Sequence, residues 1–133
     1  MTYLLDTNVC IKLLNNSSLA VTDELARHEP EEILLSTVVQ LELYYGAYKS
    51  SKKEQNLVKV ERFFSQFLIL PFDEKSAKIA GKIRSQLNSL GTPIGGYDLQ
   101  IAAIAMANEL ILITHNIREF SHIEGLKYED WEV

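Results

Sequence analysis

The 133-residue sequence predicts an α/β fold, a three-layer α/β/α domain with helices on both faces of a mostly parallel sheet. Short apolar runs alternate with helical segments along the chain, which is the pattern of parallel strands joined by helices. One of these runs, residues 110–113, is almost continuously apolar, as expected for a strand buried on both faces. Because the length suits one core of ordinary size, we expect residues 1–133 to form a single domain.

Two strand-then-helix units open the chain. Each starts with a short apolar run that stops at small polar residues typical of helix starts, 6–8 in the first unit and 36–37 in the second. The predicted elements are strands over 3–5 and 33–35, followed by helices over 9–14 and 38–48.

The second half repeats the alternation with longer helices. An amphipathic helix is predicted over 52–67, because five apolar residues share one face of this segment, and a short strand is predicted over 68–71. A helix over 74–90 ends at Gly91, where a left-handed conformation is expected. The remaining predicted elements are an Ala-rich central helix over 97–107, a strand over 110–113 and an edge strand over 126–128.

Composition narrows the class of protein. The single cysteine, Cys10, excludes an intramolecular disulfide framework and a Cys-rich zinc site, and it favours a reducing compartment, so we expect a cytoplasmic protein. No apolar stretch approaches the roughly 20 residues of a membrane span, so no membrane partner is expected. The net charge of −5 by itself counts against a nucleic-acid binder.

Four acids lie in or beside the most apolar segments: Asp6, Glu42, Asp98 and Glu119. Asp6 follows the first strand and Glu119 comes shortly after the strand at 110–113. Ligands of open α/β sheets bind at the carboxyl ends of the strands, where the strand order reverses, so these two acids are expected to meet there.

Carboxylates brought together in a partly buried site repel one another, and either a proton or a cation relieves the repulsion. Oxygen ligands without a His/Cys pair favour Mg²⁺ or Mn²⁺ over zinc. Such ions can orient a water, lower its pKa and stabilise charge on phosphate oxygens. The four acids therefore indicate phosphodiester hydrolysis.

Each acid also has an ordinary structural explanation. Asp6 could only cap the first helix, and Glu42 could lie on an exposed helical stripe. Asp98 could be a first-turn acid favoured by the helix dipole. Glu119 could be solvated loop surface. No single acid decides between these alternatives.

Taken together, the motifs resemble the PIN-domain ribonucleases and, within them, the VapC toxins of type II toxin–antitoxin systems. The resemblance spans nearly the whole chain and is carried by four segments in order: residues 3–8, 35–47, 93–103 and 114–131. The last of these, with Thr114-His115-Asn116-Ile117-Arg118-Glu119-Phe120, is similar to the closing segment of the VapC subgroup that cuts initiator tRNA.

The resemblance implies that Asp6, Glu42 and Asp98 bind Mg²⁺ or Mn²⁺ and, with Glu119, form the catalytic set. It places Asn116 where many PIN domains carry an acid. Asn116 is then expected to orient Asp6 or a bound water, while Glu119 assists a second metal.

The resemblance also implies an endoribonuclease that acts on tRNA, with initiator tRNA favoured, and is neutralised by a VapB-like antitoxin. Contact with DNA is expected only through that antitoxin. A homodimer is expected, with tyrosines at 44, 45 and 48 in a homodimer or antitoxin contact. Two alternatives stay open: a metal-dependent phosphohydrolase of small molecules and a non-catalytic module of the same fold. Setting the four acids aside reduces the net charge from −5 to −1, so the charge no longer opposes an RNA substrate.

Several further residues are assigned supporting roles. Thr7 and Ser36 are expected as hydroxyl groups beside the metal ligands, and Thr114 as a structural hydrogen-bonding residue. Arg118, Lys49 and Lys53 are candidates for contacts with RNA phosphates. The other expectations concern Cys10 as a buried apolar residue, His115 in a structural or substrate-side role, and His28 and His122 on the surface.

Overall fold

A computed structural model describes residues 1–133 and contains one five-stranded sheet in which every strand pair is parallel. The strand order is β3-β2-β1-β4-β5. The strands are β1 (Tyr3–Leu5), β2 (Ile33–Ser36), β3 (Leu68–Leu70), β4 (Ile111–Ile113) and β5 (Tyr128–Glu129).

Seven helices flank this sheet, and the three-layer α/β/α prediction is confirmed. A short 3₁₀ turn, Pro30–Glu32, precedes β2. The helices are α1 (Thr7–Asn15), α2 (Leu19–Ala26), α3 (Thr37–Lys49), α4 (Lys53–Phe64), α5 (Glu74–Ser89), α6 (Gly96–Ala107) and α7 (Ile117–Phe120). No helix is long and apolar enough to cross a membrane.

The strand order reverses between β1 and β4. After β1 the chain adds β2 and then β3 on one side, and it then crosses to the other side of β1 to form β4 and β5. Leu5 pairs with Ile113, and the N–H of Asp6 donates to the carbonyl of Ile113 at 3.1 Å. The first residues beyond both strands therefore lie side by side at the carboxyl edge of the sheet.

Helix α6 is buried on nearly every side, as its alanine-rich sequence predicts. Small side chains let neighbouring elements approach closely, and α5 packs along it. Its buried residues are Leu99, Ile101, Ala102, Ala103, Ile104, Ala105 and Ala107. The burial of α6 fixes the position of its first turn, in which Asp98 lies.

Element boundaries differ from the predictions where a side chain or turn decides them. Helix α1 begins two residues earlier than predicted because Asp6 itself is the cap. The predicted helix over 52–67 ends at Phe64, although Phe67 still packs against Phe63 with ring centroids 5.0 Å apart. Gly91 has φ +71°, the left-handed conformation expected at the end of α5.

Two helices were not predicted. Helix α2 begins at a Ser18 cap whose hydroxyl accepts from Val21 N–H at 3.3 Å. This Ser, with apolar Val21 and Leu25 one turn apart, was the signal available in the sequence. Helix α7 is a single turn in a segment that was expected to be a loop.

The expectation that His28 lies on the surface was wrong. Its ring stacks on Trp131 at 5.2 Å with an interplanar angle of 5°, and Tyr3 packs against both rings. Glu24 Oε1 lies 3.3 Å from His28 Nε2. This aromatic cluster attaches the C-terminal segment to β1.

Replacing Trp131 should test that attachment. Trp131 is 6% exposed, so Trp131→Ala should lower the free energy of unfolding by about 3–5 kcal/mol, measured by urea titration. Val133→Ala is the control, because Val133 is 96% exposed and should change stability by less than about 0.5 kcal/mol. If Trp131→Ala lowered the free energy of unfolding by less than about 1 kcal/mol, the aromatic cluster would contribute little to stability.

Candidate active site

Asp6 lies at the carboxyl end of β1 and is almost fully buried, with 4% exposure. Its Oδ1 accepts a hydrogen bond from Val9 N–H at 2.9 Å, so it caps α1. Burial raises the pKa of Asp6, and the nearby charges of Glu132 and Glu42 act in the same direction. Hydrogen bonds from Thr114 and from Val9 N–H oppose that rise. Asp6 is thus a helix cap and, at the same time, a buried acid within the field of other carboxylates.

Glu42 is brought to the same region by α3. Its Oε1 accepts a hydrogen bond from the Thr7 hydroxyl at 2.6 Å, across 35 residues of sequence. Because Thr7 follows Asp6 directly, this bond ties Glu42 to the residue next to the buried acid. Glu42 is half-buried, so it is not part of a solvated helical stripe.

Asp98 lies in the first turn of α6, where burial and the charges of all three other acids raise its pKa. Its pKa is raised from 3.8 to about 6, first by burial and then by the charges of Glu119, Asp6 and Glu42. A hydrogen bond with Glu119, which requires a proton on one of the two carboxyls, raises it further. The four acids named from the sequence therefore lie within range of one another's charge, although the ligand atoms of no three of them come within 4.8 Å of one another.

Asn116 contacts Glu119 instead of Asp6, contrary to one expectation. Its Nδ2 donates to Glu119 Oε2 at 3.1 Å, and its backbone N–H donates to the Thr114 hydroxyl at 3.0 Å. Thr114 is fully buried and connects the end of β4 with Asn116 and Asp6. Asn116 thus holds the exposed Glu119 at the edge of the cluster.

Ser36 is fully buried, but the hydrogen bond of its hydroxyl is to a helix end. The hydroxyl accepts from Val39 N–H at 3.2 Å and caps α3. Its contribution to the cluster is to fix the start of the helix that carries Glu42.

The donor set fits a hard divalent cation. One carboxylate follows β1 and the others lie on α3, α6 and α7, and oxygen donors of this kind suit Mg²⁺ or Mn²⁺. The raised pKa values of Asp6 and Asp98 show that the cluster resists full ionisation. A cation would relieve that repulsion, so the residues present are suited to holding one.

A second polar cluster was missed in the sequence. His115 Nδ1 lies 2.9 Å from Asp130 Oδ2 and 3.7 Å from Glu132 Oε2, and Lys12 forms an ion pair with Glu132. The three ligand-type residues come within metal-binding range of one another. The Lys12 ammonium supplies one positive charge to the two carboxylates of this cluster, and the buried Oε2 of Glu132 has no hydrogen-bond partner.

The three basic residues proposed for RNA contacts form no ion pairs. Arg118 is exposed on α7, next to Glu119. Lys49 lies over the Tyr45 ring at 5.2 Å, about 10 Å beyond Glu42 along α3, given the helical rise. Lys53 begins α4, after the turn that follows α3. Arg118 is therefore the basic residue that the structure places beside the acid cluster.

Comparison with known families identifies the fold of this site. A family model described as "PIN domain" matches residues 3–126. The chain belongs to the PIN-domain family. The family resemblance drawn from the motifs is confirmed, and the four acids lie on a PIN-domain scaffold.

Relatives place the PIN domain more narrowly. The chain is 38% identical over 129 residues to a Shigella flexneri protein named tRNA(fMet)-specific endonuclease VapC, with 97% of each chain covered. It is 39% identical to ribonuclease VapC2 of Rickettsia felis, with 99% of each covered. The chain is thus a VapC-type PIN domain, of a family whose members are hydrolytic nucleases and generally depend on divalent metals.

Solved structures agree with this placement. The fold matches a crystal structure of DNA-bound VapBC from Salmonella typhimurium with a TM-score of 0.92 at 37% identity, covering 98% of each chain. A VapBC2 structure from Rickettsia felis, bound to a DNA fragment from the promoter, matches with a TM-score of 0.91 at 38% identity, covering 98% of this chain and 99% of that one.

The raised pKa of Asp98 predicts a pH dependence of stability. The protonated carboxyl is favoured in the fold, so its contribution is complete below pH 3.8 and is lost as pH rises through about 6. Asp98→Asn stays neutral and should therefore gain Tm relative to the wild type as pH is raised from 4 to 7 without divalent metal. Differential scanning calorimetry would measure this difference.

The same titration should respond to metal. Mg²⁺ or Mn²⁺ at pH 7 should raise the Tm of the wild type and raise that of Asp98→Asn much less. Asp23→Asn, an exposed position on α2, should behave like the wild type. If the metal raised the Tm of Asp98→Asn as much as that of the wild type, Asp98 would not be a metal ligand.

Proposed function

We propose that residues 1–133 act as one PIN domain and a metal-dependent endoribonuclease that hydrolyses phosphodiesters of tRNA, with initiator tRNA the favoured substrate. The observation that carries the proposal is the joint influence of Asp6, Glu42 and Glu119 on Asp98. Four acids from four separate segments converge at the sheet edge where α/β proteins bind ligands. The substrate follows from the relative named tRNA(fMet)-specific endonuclease.

In this proposal Asp6, Glu42 and Asp98 would hold Mg²⁺ or Mn²⁺. When bound, the ion supplies positive charge next to the phosphate and lowers the pKa of water. Val9 N–H fixes the Asp6 carboxylate and the Thr7 hydroxyl fixes that of Glu42, so both acids are positioned before substrate arrives. Pre-positioning of this kind limits the reorganisation needed during the reaction.

Glu119 and Arg118 would work at the exposed rim. The Asn116 side chain donates to one Glu119 oxygen and so positions this carboxylate beside Asp98. The guanidinium of Arg118 has no acidic partner and is available for an RNA phosphate.

A VapB-like antitoxin is the proposed protein partner, because the matching solved structures are VapBC complexes. A groove of about 260 Å³ between α1, α3 and α4 could receive an apolar segment of it. The groove is lined by Leu14, Leu43 and Val60 and reaches Glu42. We propose contact with DNA only through this partner, as the DNA-bound VapBC structure suggests.

We also propose a homodimer, supported by exposed aromatic side chains. Tyr45 is 63% and Tyr48 57% exposed on α3, whereas Tyr44 packs against Phe64. Tyr97 and Leu41 extend the apolar surface around Tyr45. Exposed aromatic side chains of this kind are enriched in protein interfaces.

Substitution of the acids tests the nuclease proposal. With Mg²⁺ or Mn²⁺, the wild type should cut tRNA, and Asp6→Asn, Glu42→Gln and Asp98→Asn should each retain less than about 1% of that rate, since even loss of an outer residue costs about 10–100-fold. Fragment sequencing would locate the cut. Asp23→Asn is the exposed control and should keep wild-type activity.

The outcomes separate the alternatives. If folded Asp98→Asn kept full activity, the acid cluster would have no role in catalysis. Turnover of a phosphomonoester without RNA cleavage would favour a small-molecule phosphohydrolase.

Thr7 provides a test of positioning. Thr7→Val removes the 2.6 Å hydrogen bond to Glu42 while keeping the shape of the side chain. We expect kcat to fall about 10–100-fold and the Mn²⁺ concentration for half-maximal activity to rise, because outer hydrogen bonds orient metal ligands. Thr7→Ser restores the hydroxyl and should recover most of the activity. Equal rates for the Val and Ser variants would show that the hydrogen bond has no role in catalysis.

A further inference from the structure

A cleft lined mostly by polar residues lies on the β4 side of the acid cluster and shares Ile11 with the groove that contains Glu42. Its volume is about 540 Å³, within the range of small-molecule sites. The cleft is lined by Asn8, Ile11, Lys12, Ser17, His115 and Asn116.

The cleft adjoins the acid cluster through two residues. Asn116 lines the cleft and donates to Glu119, whose charge acts on Asp98. Asn8 lies two residues after the buried Asp6, at the start of α1. An RNA strand passing over the acids could therefore place a neighbouring nucleotide in the cleft.

His115 is the one aromatic ring in the cleft lining, and it is held in place. Its Nδ1 lies 2.9 Å from Asp130, whose side chain is largely buried, while the His115 side chain is 57% exposed. The other ring nitrogen makes no hydrogen bond to the protein. The ring thus has a fixed orientation together with a free face and a free polar atom.

The lining favours an uncharged ligand with a flat ring. The cationic Lys12 is already paired with Glu132, so the cleft has no free positive charge for a phosphate. No carboxylate lines the cleft, since those of Asp130 and Glu132 lie behind His115, on the side of its Nδ1. Amide, hydroxyl and imidazole groups beside the apolar Ile11 match the edges and faces of an unpaired base.

We propose that this cleft binds the base of an unpaired nucleotide next to the cut phosphodiester, with the base stacked on His115. This inference rests on the proposed endoribonuclease function and adds to it a subsite with a chemical class of ligand. Asp130 acts as the positioning residue for the ring. His115 is a binding residue, and the hydrolytic step does not require it.

The test uses a synthetic RNA hairpin that contains the cleavage site mapped for the full-length protein. Compared with the wild type, the His115→Ala variant should have a KM roughly tenfold higher, within the range seen for loss of base stacking. Its kcat should change less than twofold. In the Asp98→Asn background, the same change should raise Kd by a similar factor, measured by fluorescence anisotropy in Mg²⁺. His115→Phe, which keeps an aromatic face, should retain most of the affinity.

An abasic scan identifies the partner nucleotide. Removing one base at a time from the three nucleotides on each side of the cut should weaken wild-type binding about tenfold at one position. At that position the abasic change should have little further effect on His115→Ala, because both changes remove the same contact. His122→Ala, an exposed histidine outside the cleft, should leave every value within twofold of the wild type.

The contrary results are distinct. If the wild type cuts the hairpin but His115→Ala leaves KM and Kd unchanged, or if its effect adds fully to every abasic change, the base subsite is wrong while the nuclease stands. If His115→Ala weakens only binding of the antitoxin, the cleft is a protein contact. If the wild type cuts no RNA, the proposed function and this subsite both fail.

Discussion

The parallel pairing of β1 with β4 is the constraint on which the candidate site depends. These strands are adjacent in the sheet although more than 100 residues separate them, and the Asp6 N–H extends their ladder to the Ile113 carbonyl. Because the strand order reverses at this pair, the connections that follow the two strands run to opposite sides of the sheet. A crevice therefore forms between them at the carboxyl edge. Asp6 and the Thr114–Glu119 segment lie at that edge as a direct result.

The concentration of acids at this edge works against folding, and local hydrogen bonding offsets part of that cost. Asp6 caps α1 and Asp98 lies in the first turn of α6, so both carboxylates lie near the positive end of a helix dipole. Thr7 and Asn116 each donate to a further carboxylate. The raised pKa of Asp98 shows that repulsion between the carboxylates remains. A divalent cation can stabilise the site by relieving this repulsion.

The two sides of the acid cluster differ in chemistry. On the α3 side the groove that reaches Glu42 combines apolar side chains with Asn56 and Lys59, as suits a protein segment. On the β4 side the cleft is polar, and an anchored imidazole lines it. One acid cluster can therefore meet a protein partner and an RNA strand from different directions. Binding of a partner over Glu42 would also cover part of the acid cluster proposed to be catalytic, which gives a simple physical route to inhibition.

Local sequence patterns accounted for most elements, because hydrophobic periodicity and capping residues act over a few positions. They placed every strand to within about two residues, and they identified α3, α5 and the buried α6. Helix α2 was not predicted, although the sequence contains the Ser18 cap and, after it, apolar residues at helical spacing. The packing of His28 between Tyr3 and Trp131 had no local signal, since its partners come from opposite ends of the chain.

The sequence alone determined the α/β class and the PIN-domain family, and it predicted the four acids, because each depends on local pattern or motif order. Only the tertiary structure decided which groups hold those acids. Thr7 reaches Glu42 across 35 residues, Asn116 turns to Glu119 instead of Asp6, and His115 meets Asp130 from a separate segment. Side-chain hydrogen bonds of this kind depend on distances of a few tenths of an ångström between segments remote in sequence. Such distances are set only when the sheet and helices pack together.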